Sequence, residues 1–83
     1  MQTTTKTMTQ ANSVIENLRI LRNCAAENGI TAVGQKAAYR WHLASGMFNT
    51  TIEALSDRNM PLASDCMRTA SALCRIASNC ANA

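Results

Sequence analysis

The residues with the most chemical potential are four cysteines, Cys24, Cys66, Cys74 and Cys80, and a single histidine, His42. Thiolates and imidazoles build structural zinc sites, which need close-set pairs of the Cys-x₂₋₄-Cys kind. Here the successive cysteines are 42, 8 and 6 residues apart. Three of them fall on one predicted helix, where Cys74 is turned by about 100° from the face that Cys66 and Cys80 share. That set cannot close a tetrahedral site, so no metal or cofactor is assigned to this chain. Nucleophilic chemistry would need a cysteine and His42 within hydrogen-bond reach, with an oxyanion donor beside them. His42 stands mid-helix next to Trp41, and none of Glu16, Glu27, Glu53, Asp57 and Asp65 lies at a catalytic spacing from it or from a cysteine. A phosphate cradle fails too: Gly29, Gly34 and Gly46 are isolated, and no Gly-Lys-Ser/Thr occurs. The expectation is a protein with no catalytic residue and no small-molecule substrate.

The thiols must then be structural. The opening residues, Met1 to Thr7, are polar and lead into no apolar stretch of the signal-peptide type. That favours the cytoplasm, where thiols stay reduced and a cysteine serves as a small core hydrophobe. The alternative is a disulfide from Cys24 to Cys74 or Cys80, which an up-down-up arrangement would bring to the same pole. The match of Asn49-Thr50-Thr51 to a glycosylation acceptor falls inside a predicted helix and carries no weight.

The elements that position these groups are helices. The chain has 83 residues, 16% of them charged, with one Trp, one Tyr and one Phe. Such a chain forms one small domain with an aliphatic, alanine-rich core, and no apolar run is long enough to span a membrane. Residues 1–9 are threonine-rich and aperiodic, and read as a flexible tail before a single helical domain over 10–83. Ser13 to Glu16 fits a capping box, with Thr9 as a competing cap a few residues earlier. Val14, Leu18, Leu21 and Ala25 then recur as one helix face, and Asn28-Gly29 reads as its stop. The second pattern starts near Thr31. Ala37, Trp41, Ala44, Phe48, Thr51 and Leu55 recur at alternating fours and threes, a heptad-like seam, flanked by Val33 and Ile52. Gly34 and Gly46 lie inside it at a cost of about 1 kcal/mol each relative to alanine, which makes a break near Gly46 the alternative to one long helix. The third pattern follows Pro61, with Leu62, Cys66, Thr69, Leu73, Ile76 or Ala77, and Cys80 as its seam. Strand-like alternation is missing. Short connections imply antiparallel neighbours, so the fold class is an all-α, up-down-up three-helix bundle that self-association could complete. The stretch from Ser45 to Leu55 resembles the inter-helix turn of a tetratricopeptide repeat. Thr51 stands where a small alanine is expected and no second repeat follows, so nothing is carried over from that family.

Function is therefore sought in surfaces. Tyr39, Leu43 and Met47 step by four along the side of the second helix away from Trp41 and Phe48. Met67 and Cys74 repeat the theme on the third. Met, Tyr and nearby Arg are interface residues, and Arg outnumbers Lys six to two. The expected protein-binding set is Tyr39, Arg40, Leu43, Met47, Met67, Arg68 and Arg75. The partner is another protein or a second copy of the chain. The expected role is an accessory inhibitor or adaptor acting by steric contact, in the manner of phage or mobile-element proteins that block a host defence complex. The rival is a small nucleic-acid-binding regulator that uses Lys36, Arg40, Arg68 and Arg75 on phosphates, at a net charge of +3. A third class is a structural homo-oligomer subunit.

Overall fold

The computed structural model describes the backbone of residues 2–82 and the side chains of residues 13–80. It contains three helices: α1 (Gln2–Thr31), α2 (Gln35–Ser56) and α3 (Met60–Asn82). The fold is an all-α, up-down-up three-helix bundle, with no strand among the described residues. α2 is the middle member and packs extensively on both α1 and α3, whereas α1 and α3 barely meet. The molecule measures 52 × 21 × 16 Å, and its radius of gyration is 14.4 Å. A compact chain of this length would have about 12 Å, so the bundle is elongated and open along one side. α1 contributes to that shape, because its 30 residues outrun the 22 of α2.

The helix boundaries differ from the sequence expectation, and glycine chemistry explains most of the difference. No glycine or proline precedes Gly29, so nothing in the backbone stops α1 from taking in residues 2–9 and passing through Ser13. Ser13 is therefore inside the helix and does not cap it. α1 also continues through Gly29 to Thr31, whose hydroxyl donates to the Glu27 carbonyl at 3.1 Å. Gly29 has another role. It is buried, and a Cβ there would lie 3.0 Å from the His42 ring, so its missing side chain lets the imidazole lie against α1. The left-handed residue is Gly34 instead, with φ 100° at the N-cap of α2. Gly34 thus sits where glycine is favoured, not in a helix interior. α2 is unbroken through Gly46, and the Ser45–Leu55 stretch is helix throughout, not a turn.

The α2–α3 turn is a Schellman motif. Arg58 N–H donates to the Leu55 carbonyl at 3.0 Å, and Asn59 N–H donates to the Ala54 carbonyl at 2.8 Å. Arg58 takes the left-handed position, φ 60°, that glycine usually fills. Asn59 then caps α3, its side-chain oxygen accepting from Leu62 N–H at 3.3 Å. Pro61 follows in the first helical turn, where its missing N–H costs nothing.

Packing of α2 on α3 runs through small residues. Ala37, Ala44 and Thr51 recur every seven residues on α2, and Ala63, Ala70 and Ala77 do so on α3; all six are buried. The two series are symmetric about Asp57, so folding the chain back at 57–59 sets 51 against 63, 44 against 70 and 37 against 77. The expected α3 seam holds at Cys66 and, of its alternatives Ile76 and Ala77, at Ala77, and is corrected at Leu62 and Thr69, which are exposed. Ala70 and Ala77 are fully enclosed, whereas Leu62 and Ile76 are 43% and 40% exposed. The helix turns its alanines to α2 in preference to its larger apolar residues because small side chains allow close approach. The predicted α2 seam stands, with Ala37, Ala44, Phe48 and Thr51 buried and Trp41 and Leu55 half-buried; its expected flank Val33 is 88% exposed. On α1, Leu18 and Ala25 are buried as expected and Ile15, expected to widen that face, packs inward, but Val14 and Leu21 are exposed. α1 has a neighbour on one side only, so half of its apolar stripe finds no cover.

These backbone assignments set the response to substitution. Gly46 has open space around it, and Gly46→Ala should raise stability by about 1 kcal/mol. Arg58→Gly relieves the left-handed penalty and should add about 1 kcal/mol, whereas Gly34→Ala should cost about the same. Ala70→Leu overfills the α2–α3 seam and should cost about 1–3 kcal/mol. Urea midpoints at unchanged m-value measure all four.

Candidate binding groove

The open side of the bundle is a groove. α1 provides one wall with Val14 and Leu18, and α3 provides the other with Met60, Ala63, Ser64 and Met67. Thr51 and Leu55 of α2 form the floor. The groove holds about 440 Å³ and is almost wholly apolar. Its two hydroxyls offer little polarity: Thr51 is buried and donates to the Met47 carbonyl of its own helix at 2.8 Å, and Ser64 sits exposed at the rim. Beneath the floor lies the core of Leu18, Ala25, Ala44, Phe48, Ile52 and Ala70, with Ile15, Trp41, Leu55, Met67 and Cys74 packed against it. Phe48 stands on α2 between the alanines that meet α3 and the residues that meet α1. It is buried in that core, with Trp41 and Leu55 packed against the same cluster.

α1 is pinned to α2 by polar contacts as well as by Leu18 and Ala25. Arg22 donates to the Asn49 side-chain oxygen at 3.0 Å. The Ser45 hydroxyl donates to the Arg22 carbonyl at 3.2 Å. Both contacts are partly buried, so each carries more weight than the solvent-exposed pairs Arg19–Glu16 and Arg68–Asp65.

The residues expected to bind protein do not form one surface. Tyr39 and Leu43 are exposed on the side of α2 away from Phe48, and Met47 and Met67 are half-buried against the core. Met67 alone of the set lines the groove. Arg40 is half-buried on α2. Arg68 and Arg75 are exposed on α3, the former paired with Asp65 at 2.7 Å. Lys36 is exposed and lines another hollow, of about 380 Å³, with Val33, Gly34, Gln35, Ala37 and Cys80. The other groove residues, Val14, Leu18, Thr51, Leu55, Met60, Ala63 and Ser64, lie outside the expected set. Val14, Leu18 and Leu55 were read as seam positions, and only the true phase of α3 shows that the seam gapes there.

The thiols are all free. This resolves the open pairing in favour of four unlinked cysteines, but only Cys66 is buried, and Cys24 is exposed rather than a core filler. Cys24 lies about 120° around α1 from Leu18, on a side that no helix covers. His42 is exposed, its ring resting on Gly29. Among the described residues no three of His, Cys, Asp and Glu converge into a metal-binding group, and no helix is long and apolar enough to cross a membrane. Burial pushes the Cys74 thiol above its ordinary range.

Comparison with protein-family models, with curated proteins and with solved structures returned no match.

Thiol accessibility tests this geometry. Alkylation followed by peptide mapping should modify Cys24 first and Cys66 last. Modification of Cys74 should rise only at a higher pH than an ordinary thiol needs, because its proton is held more tightly in the folded chain. The same sign applies to stability: the folded state keeps that proton longer than the unfolded chain, so a small stabilisation is lost as pH climbs through the thiol range.

Proposed function

We propose that this chain is a helical protein-binding module whose docking surface is the groove between α1 and α3. The single observation that carries the reading is the uncovered apolar lining at one end of the bundle, where Val14 is 48% and Met60 is 59% exposed beside the half-buried Met67. Apolar grooves between helices accept the apolar face of another helix. The finer role supported by size is that of an adaptor or a steric inhibitor. A rigid face of this kind can occlude part of a larger assembly without chemistry of its own, as a protein directed against a host defence complex would.

The second reading, phosphate binding, draws on Arg68 and Arg75, which lie seven residues apart and exposed on α3. Arg40 is half-buried, and Lys36 lies by the hollow near Cys80, so the four cations do not line one stripe. That arrangement favours the groove over a nucleic-acid track.

The two readings separate by variant and by salt. Val14→Glu with Met60→Glu places charge in the groove at positions exposed enough to keep the fold. Tyr39→Ala with Leu43→Glu alters the opposite side of α2. Affinity capture from the native host should recover a partner with the unaltered chain and with the Tyr39/Leu43 variant, and lose it with the Val14/Met60 variant. Loss with the Tyr39/Leu43 variant alone would move the surface to the other face. Binding of duplex DNA or RNA with a steep salt dependence would favour the phosphate reading instead. A dimer by light scattering that the Val14/Met60 variant dissociates would assign the groove to self-association.

A further inference from the structure

The charges around the groove define what fits it. Glu16 is two residues from both Val14 and Leu18, Glu53 is two from both Thr51 and Leu55, and Asp65 is two from both Ala63 and Met67. Two residues along a helix is a rotation of about 200°. Each of these carboxylates therefore stands on the side of its helix away from the groove. Glu27 stands in the same relation to the buried Ala25, and Asp57 belongs to the α2–α3 turn. No carboxylate among the described residues faces the groove.

The basic groups are placed differently. Ser64 lines the groove, and Ser64, Arg68, Ser71 and Arg75 follow it at four, three and four residues, one continuous stripe of exposed hydrogen-bond donors. The two guanidiniums are about 10 Å apart along the axis. Arg68 spends one nitrogen on Asp65 across an exposed pair and keeps further donors for a second acceptor. Arg75 makes no ion pair among the described residues. The opposite rim, on α1, presents Asn17 and Cys24, which are neutral and exposed.

From this asymmetry we infer that the groove takes an amphipathic helix of a partner protein, with its apolar stripe on Leu55 and Met67 and a row of carboxylates along the flank that meets α3. This rests on the reading of the groove as a docking surface. A second copy of the chain fits less well, because its own α3 would bring two more guanidiniums to a rim that already lacks a carboxylate. Arg68 and Arg75 thereby act as the specificity determinants, while the apolar floor supplies most of the affinity.

The test uses two labelled helical peptides with the same leucine stripe. One carries glutamates along one flank, and its twin carries lysines there. Fluorescence anisotropy against the full chain should show the glutamate peptide binding about tenfold tighter at low salt, with the gap closing as salt rises. Arg68→Glu with Arg75→Glu alters only exposed positions and should reverse the preference. Equal binding of the twins would overturn the acidic-flank inference and leave the groove reading standing. Binding of neither peptide to a chain shown to be monomeric would overturn both. Displacement of the glutamate peptide by a short RNA duplex, with the duplex itself lost in the double-arginine variant, would transfer the stripe to nucleic acid and overturn the inference. A dimer that Val14→Glu dissociates would do the same in favour of a second copy.

Discussion

The close approach of α2 and α3 through small side chains governs the rest of the structure. Ala37, Ala44 and Thr51 meet a matching series, Ala63, Ala70 and Ala77, reflected about Asp57. Alanine loses no side-chain entropy on burial, and packing small residues brings two backbones together, which raises the number of weak contacts each atom makes. With only one Trp, one Tyr and one Phe in the chain, this is how a core of modest apolar volume becomes dense. It also decides the shape. With α3 drawn to one side of α2, the bulkier Phe48 and Trp41 pack in the core shared with Leu18 and Ala25 of α1, and the outer helices leave the apolar lining at Thr51 and Leu55 uncovered. The groove follows from a core that uses two sizes of side chain on two sides of one helix.

Glycine and its substitutes set the ends of these helices. Gly34 provides the positive-φ residue that starts α2, and Arg58 takes the left-handed position that ends it, held by the two Schellman hydrogen bonds. Gly29 serves proximity instead, leaving room for the His42 ring. Three of these features sit in connections or at contact points, and each constrains how two helices meet. Gly46 does neither, and nothing around it explains why it is glycine.

Much of the architecture was legible in the sequence. The class, the number of helices, their order and the α2 seam all followed from the spacing of apolar residues. The phase of α3 followed only in part: Cys66 and Ala77 were legible, but Leu62 and Ile76 outweigh Ala63 and Ala70 in any reading that scores hydrophobic bulk. Burial here follows closeness of fit, and closeness depends on the partner helix, which a single helix's pattern does not contain. The boundaries near Gly29 and Gly34 failed for a related reason. Either glycine could have been the positive-φ one, and the contact that gives Gly29 its other use is with His42, thirteen residues further along. The candidate groove was the least legible feature. Its residues come from three helices, and several were correctly recognised as apolar without any sign that they would be left uncovered. Cys24 shows the same limit from the other side: a cysteine on an apolar-looking helix reads as core until the missing neighbour is seen.

Because α1 and α3 each pack on α2 and scarcely on one another, every substantial contact joins elements that are consecutive in the chain. Folding then needs only two short hairpin closures and no long loop, so the entropy lost before the first contacts form is small. The α2–α3 hairpin, with its capped turn and alanine seam, has what it needs to form ahead of α1. α1 is then a separable cooperative unit, joined through one face, and it is the helix whose amide protons should exchange with solvent by local opening before the rest of the chain unfolds.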